Sequence, residues 1–155
     1  MSPFPASAAM ARALDEGRAA GARGEVPVGA IVCAPDGRVV AAAGNRTLEL
    51  RDPTAHAEML AIRAACAASG SERLPGYSIH VTLEPCPMCA SAIAQARISL
   101  LVYGASDLKS GGVEQGPRIF THAQCHHIPE IISGIGEIES AELLKDFFQR
   151  LRNRT

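Results

Sequence analysis

Helical and strand periodicities alternate along the chain, and that alternation predicts an α/β domain with helices on both faces of one sheet. Three observations carry the prediction. An alanine-rich run near the start places apolar residues at helical spacing. Short apolar segments, bounded by Gly, Pro or Ser, recur between helical stretches as strands. The last stretch is amphipathic with the 3.6-residue period of a surface helix.

Taken in order, Ser7 to about Gly21 reads as the first helix, with Met10, Ala13, Leu14 and Gly17 on one face. Ser7 is its expected N-cap, and Gly21 and Gly24 end it. Val26 to Cys33 reads as a strand, residues 34–37 (Ala-Pro-Asp-Gly) as a turn, and Arg38 to Ala43 as the returning strand of a hairpin. Asp52-Pro53-Thr54 is expected to open the second helix, which carries Met59, Leu60, Ile62, Arg63 and Cys66 before Ser69-Gly70 stops it. Ser78 to Leu83 alternates apolar and polar residues as a strand. Pro87 to Ala96 follows as a short helix, and Ile98 to Tyr103 as a buried strand. A glycine-rich loop spans Ser110 to Gly116, a fifth short strand lies near Glu130 to Ser133, and Ser140 to Arg152 closes the chain as a helix. No repeat or linker divides the sequence, so residues 1–155 are expected to form a single domain.

The composition, 47% hydrophobic and 20% charged over 155 residues, is that of an ordinary globular chain able to build its own core. A formal net charge of −1 provides no global attraction to nucleic acid, so any RNA contact must rely on a local patch. The first residues lack the basic start and continuous apolar run of a signal peptide, and no stretch is apolar enough to span a bilayer. A cytoplasmic location is therefore expected. In that reducing compartment five cysteines point to metal binding or catalysis before disulfides.

The chemistry concentrates in His56-Ala57-Glu58 and Pro85-Cys86-Pro87-Met88-Cys89. In mid-helix, residues two apart point in opposed directions, so His56 and Glu58 share a target only if they lie at a helix tip. Cys86 and Cys89, three apart, put both sulfurs on one side of a turn, and Pro87 suits the first helical position. One imidazole and two thiolates are three ligands for a tetrahedral ion, and soft sulfur with nitrogen selects zinc. The fourth position falls to water. Two thiolates blunt the acidity of the ion, so a nearby base, Glu58, is expected to move the protons.

Blander readings compete. A structural zinc site would take a fourth ligand from Cys33, Cys66, Cys125 or one of the remaining histidines, but it needs no glutamate beside His56. A redox pair of Cys86 and Cys89 leaves His56 and Glu58 without a role. Cys125, His126 and His127 match no ligand spacing and read as a solvated loop.

A histidine-x-glutamate segment followed by proline-cysteine-x-x-cysteine resembles the signature of the cytidine deaminase superfamily. Within it, the chain is similar to the bacterial tRNA-specific adenosine deaminases. The resemblance is carried by Gly24-Glu-Val-Pro-Val-Gly29, Gly44-Asn45-Arg46, Asp52-Pro-Thr-Ala-His-Ala-Glu58, Val81-Thr-Leu-Glu-Pro-Cys86, Met88-Cys89-Ala90 and Asp146-Phe-Phe148, and covers nearly the whole chain. It implies a three-layer α/β/α fold of cytidine-deaminase type around a mixed five-stranded sheet. It also implies one Zn2+ per subunit, a homodimer, and hydrolysis of the wobble adenosine of a tRNA anticodon stem-loop to inosine with release of ammonia. Water activated at the metal would attack C6 of adenine, and Glu58 would protonate N1 and then the leaving amine. Asn45 and Asp107 match contacts to the nucleoside, while the backbone around Val28 and Ala30 and the side chain of Leu83 would line the base pocket. Asn45 and Asp107 also suit plain turn and loop-capping roles.

Two departures are visible. Leu83 stands where many relatives carry phenylalanine, and residues 121–127 only loosely match the family's histidine-containing stretch, with no arginine near Ile128. Near the C-terminus, basic residues alternate with Phe147 and Phe148. Those phenylalanines and Arg150, with Arg46 and Lys109 in loops, are candidate RNA contacts through stacking and phosphate pairing. Helix-dipole complementation and core packing account equally well for the tail. Two other functions fit the same motif, namely a deaminase of a free nucleobase or nucleoside and a non-catalytic zinc-binding interaction subunit. Retention of Glu58 speaks against the second of these.

Overall fold

The computed structural model describes residues 6–154. In chain order the elements are α1 (Ala6–Ala22), β1 (Gly29–Cys33), β2 (Val39–Gly44), α2 (Ala57–Ser69), β3 (Ser78–Leu83), α3 (Pro87–Gln95), β4 (Leu100–Ala105), a 3-10 turn (Ile119–Thr121), β5 (Glu130–Ile132) and α4 (Glu137–Arg152). The strands form one sheet in the order β2-β1-β3-β4-β5. β1 runs antiparallel to both β2 and β3, whereas β3, β4 and β5 run parallel, so the sheet is mixed as expected.

Side-chain alternation divides the strands between two apolar layers. Ala30, Val32, Ile79, Val81, Leu101 and Tyr103 pack with α2 and α3 residues such as Ala61, Ala65 and Ile93. Ile31, Cys33 and Val102 face the other way, onto Met10, Ala13 and Leu14 of α1. α4 joins α1 on that face, packing against β4 and β3. The three-layer α/β/α arrangement follows. α1 lies close against the sheet, because Ala13 and Ala20 on its buried face are small and two strand ends beneath it are glycine. A Cβ at Gly29 would collide with the Ala13 carbonyl oxygen, and one at Gly44 with that of Glu16.

The boundaries depart from expectation where backbone chemistry overrides periodicity. Ser7 falls inside α1 and not at its cap; its side chain lies outside the described residues. The first strand starts at Gly29 and not Val26, since Pro27 has no N–H for a ladder and Val28 N–H bonds back to the Val26 carbonyl. β4 begins two residues after Ile98, which is buried in the core. α4 starts a turn early, from Gly136 in the left-handed region at φ 73°. The largest shift affects the site. Asp52 does not open α2: its Oδ1 accepts bonds from Thr54 N (2.8 Å) and Thr54 Oγ1 (2.7 Å), which closes a separate turn. α2 begins only at Ala57, with His56 as its extended N-cap residue at φ −70°, ψ 154°.

His80 sits in mid-β3, paired with Ile31 and Val102 on the α1 face. Its Nε2 lies 3.0 Å from Ser78 Oγ, and its Nδ1 has no partner among the described residues. Burial pushes its pKa down to about 4. The unfolded chain, with an ordinary histidine near 6.5, therefore binds the extra proton first as pH falls. Stability present above pH ~6.5 should decline toward pH ~4, by up to about 3 kcal/mol from this group. Denaturant titrations of wild type and His80→Gln across that window should differ in slope, the variant being flatter. Parallel curves would show that His80 titrates alike in both states.

Candidate metal centre and active site

The strand directions bring the site together. Because β1 is antiparallel to both neighbours, β2 and β3 run the same way and the chain leaves them at one edge of the sheet. The exit from β2 leads through Asn45 to His56 and α2, and the exit from β3 leads through Glu84 to Cys86 and α3. β4 ends at the same edge and delivers Asp107 and Ser110. Clefts outside the carboxyl ends of strands are where α/β sheets commonly hold ligands.

His56 and Cys86 are both N-cap residues, and Pro87 occupies the first turn of α3 as expected. Each cap residue is extended and free to aim its side chain past its helix tip. His56 Nδ1 stands 3.6 Å from Cys86 Sγ and 3.5 Å from Cys89 Sγ, and the three donor atoms all lie within 4.8 Å of one another. Zinc bonds of about 2.05 Å to nitrogen and about 2.3 Å to sulfur, at tetrahedral angles, need an N···S separation of about 3.6 Å. The donor set and its spacing fit Zn2+. Among the described residues no other cluster of His, Cys, Asp and Glu has ligand geometry. Cys33, Cys66 and Cys125 stay apart from it, and His127 instead pairs its Nε2 with the Ile98 carbonyl at 2.7 Å.

The electrostatics favour a metal. A hydrogen bond from the Cys89 thiol, aided by His56, holds Cys86 down to about 4, in the thiolate range. Cys89, as that donor and fully buried, is pushed up, and His56 is pushed up by its bond to Cys86. A cation competes with these shared protons and displaces them on binding. Glu58, at the second position of α2, is 4% exposed, and burial lifts its carboxyl to about 7.

A cavity of about 230 Å3 opens beside the trio, walled by Val28, Asn45, His56, Glu58, Leu83, Cys86 and Asp107 among others. Asn45 is anchored by its backbone, N–H to Val28 O (3.1 Å) and carbonyl to Arg23 Nη2 (3.2 Å); its side-chain amide has no protein partner among the described residues. Asp107 plays the loop-capping part, its Oδ1 accepting from Lys109 N (3.1 Å) and Ser110 N (3.0 Å), and the residue also lines the cavity. Ala30 is a correction. It pairs with Ala43 and Val81 in mid-sheet, is fully buried and does not reach the cavity, because the strand begins after Val28.

A second groove, of about 880 Å3, shares Val26, Leu83, Asp107 and Ser110 with the cavity and runs out to Lys109, Phe148, Leu151 and Arg152. Phe147 and Arg150 do not join it; they line a separate cleft against Arg18 and Pro27 of the α1 side. Arg46 is tied to Glu49 at 2.6 Å near the cavity mouth. Sequence reasoning missed two buried carboxylates. Glu25 accepts bonds from Leu48 N (3.1 Å) and Glu49 N (2.9 Å), and Glu84 accepts four backbone bonds from the loop after β4. Neither stands at a ligand spacing, so only the fold reveals their targets.

Fold and centre together define a zinc-dependent deaminase. Residues 5–105 match the family model described as the cytidine and deoxycytidylate deaminase zinc-binding region, and the chain belongs to that family. It is 57% identical over 143 residues to the tRNA-specific adenosine deaminase of Agrobacterium fabrum, covering 92% of this chain and 93% of that one. A solved structure from a study of A-to-I editing by tRNA:A34 deaminases superposes with TM-score 0.87 at 57% identity, over 89% of this chain and 99% of that one. The guanine deaminase of Nitrosomonas europaea shares the fold at TM-score 0.81 and 23% identity, over 95% and 86% of the two chains.

Cys89→Ala should weaken zinc binding by more than about 100-fold, since losing even a supporting partner of a ligand costs roughly 10–100-fold. Elemental analysis after dialysis against a mild chelator should find wild type at one zinc per chain and the variant well below it, with a lower melting temperature. Full zinc content in the variant would remove Cys89 from the ligand set.

Proposed function

We propose that the chain deaminates the wobble adenosine of a tRNA anticodon loop to inosine. The observation that carries this reading is the continuity of the cavity with the groove toward Phe148. The cavity has room for one base, and the groove extends from it past Lys109 and Arg152 to the ring of Phe148, which is 44% exposed. A free base needs no such extension. An unpaired strand with its target base flipped into the cavity does, since neighbouring bases stack on aromatic rings and phosphates meet cations. The A. fabrum relative and the wobble-position deaminase structure support the same substrate.

In this reading His56, Cys86 and Cys89 hold the zinc, which when bound acts as a Lewis acid and supplies a water nucleophile near neutral pH. Glu58, with a carboxyl near 7, would take one proton from the attacking water and give it to N1 of adenine, then carry the second, from the new C6 hydroxyl, to the departing amine. C6 gains oxygen, the C6–N6 bond breaks, and ammonia leaves. Asn45 and Asp107 hold the nucleoside, and Val28 and Leu83 flank the base. Lys109 and Phe148 contact the flanking strand; Arg46, Phe147 and Arg150 remain outer contacts for the stem. Among the described residues no helix is long and apolar enough to cross a membrane. The proposal includes a cytoplasmic homodimer, to be checked as a doubled mass in light scattering.

The decisive assay incubates zinc-loaded protein with an adenosine-bearing anticodon stem-loop and, separately, with free bases and nucleosides. Inosine in the RNA alone is expected; ammonia released only from free guanine or cytosine would transfer the chain to the free-base alternative. Glu58→Gln should keep its zinc and lose about 10²–10⁴-fold in turnover, the range of general acid–base catalysis. Wild-type turnover in that variant would make Glu58 a bystander, and no turnover by wild type on any substrate would favour an interaction subunit.

A further inference from the structure

We propose that Glu84 is a positioning residue for the substrate cavity: its buried carboxylate gathers four backbone N–H groups and so fixes the Asp107–Gln115 loop as the cavity wall. Glu84 follows β3, stands two residues before Cys86 and itself borders the cavity, yet it is not one of the three ligand residues. Its Oε1 accepts the Asp107 N–H at 3.0 Å. Its Oε2 accepts those of Val113 (3.1 Å), Glu114 (2.9 Å) and Gln115 (3.0 Å). Only 2% of the residue is exposed, and no Lys, Arg or His pairs with it among the described residues. The charge is thus balanced by backbone dipoles alone, in the manner of an anion nest.

The two oxygens grip the two ends of one loop. The end at Asp107 carries the cavity-lining carboxylate and, through its Oδ1, the turn that presents Ser110. The end at Val113–Gln115 returns over α3, where Gly112 N–H bonds to the Pro85 carbonyl at 2.8 Å. The loop sits so close that a Cβ at Gly111 would lie 2.6 Å from the Glu84 carboxylate and equally near the Asp107 carbonyl oxygen at the other end of the turn. A glutamine at 84 cannot replace this arrangement. It presents one acceptor oxygen and one NH2, and the NH2 would face N–H groups that need an acceptor. Released, the loop would let Asp107 and Ser110 move from the cavity wall. Such misplacement weakens substrate binding before it affects chemistry centred on Glu58 and the metal.

The kinetic part of this inference rests on the RNA-deaminase reading, and the structural part does not. Three variants separate them: E84Q, G111A, which leaves the carboxylate in place and pushes the loop off it, and the double variant. Hydrogen exchange by NMR should show the amides of Asp107, Val113, Glu114 and Gln115 exchanging at least about tenfold faster in E84Q, while the core strands keep their protection. Zinc stays at one per chain. KM for the stem-loop should rise about tenfold in E84Q and in G111A with a smaller change in kcat, and the double variant should be no worse than the poorer single one, as for two residues acting through one contact. Unchanged exchange at those amides, or faster exchange with an unchanged KM, overturns the proposal. So does loss of zinc or of the global fold in both single variants, which would make the contact a general structural one. If E84Q alone fails to fold, G111A carries the test by the same criteria. A wild-type enzyme inert on the stem-loop overturns the functional reading instead, and the exchange data with the KM for a free base then decide the role of Glu84.

Discussion

The antiparallel seating of β1 between β2 and β3 is the constraint on which the site depends. It forces the chain to leave β2 and β3 at the same edge, so that α2 and α3 start side by side. His56 and Cys86 are 30 residues apart in sequence, yet their donor atoms lie 3.6 Å apart because each caps a helix at that edge. Had β1 been antiparallel to one of these neighbours and parallel to the other, the two segments would lie at opposite ends of the sheet. Helix tips also supply partial positive charge, which favours the thiolate that Cys86 carries.

Three buried glutamates show how environment divides one side chain among different tasks. Glu25 and Glu84 are satisfied by backbone N–H groups, and each ties down a loop that borders the cavity. Glu58 is as deeply buried, but it faces Cys86 and the cavity and has no such cradle; burial raises it to about 7. A carboxyl raised in this way by burial suits a place where protons must move near neutral pH. The fold thus leaves one carboxyl raised by burial and holds the other two with backbone N–H groups.

The cavity and groove differ in a way that matters for substrate size. The cavity, set between the metal trio and Asn45, is framed by rigid strand ends and helix tips. The groove beyond it is framed by α4 and the loop after β4, whose apolar residues Leu108, Phe148 and Leu151 remain exposed. The metal trio is therefore placed at the sheet edge, and the proposed strand-binding surface on the helix and loop around it.

Local pattern was enough to read the layered α/β class, the strand count and the metal ligands. Periodicity reports which face is buried, and His-x-Glu with Cys-x-x-Cys carries its chemistry in short-range spacing. It was not enough for the start of α2, where Asp52 spends its side chain on a turn and hands the cap to His56. Nor was it enough for Ala30, which the register seals inside the sheet, or for the split of Phe147 and Phe148 between two clefts. The clamps of Glu25 and Glu84 were invisible for the same reason, since their partners lie 23 to 31 residues away. The sequence by itself determined which residues offer zinc ligands and which carboxylate follows the histidine, because those properties belong to side chains. Only the tertiary structure decided which backbone each buried charge would hold and which residues share a cavity, because those depend on strand direction and packing.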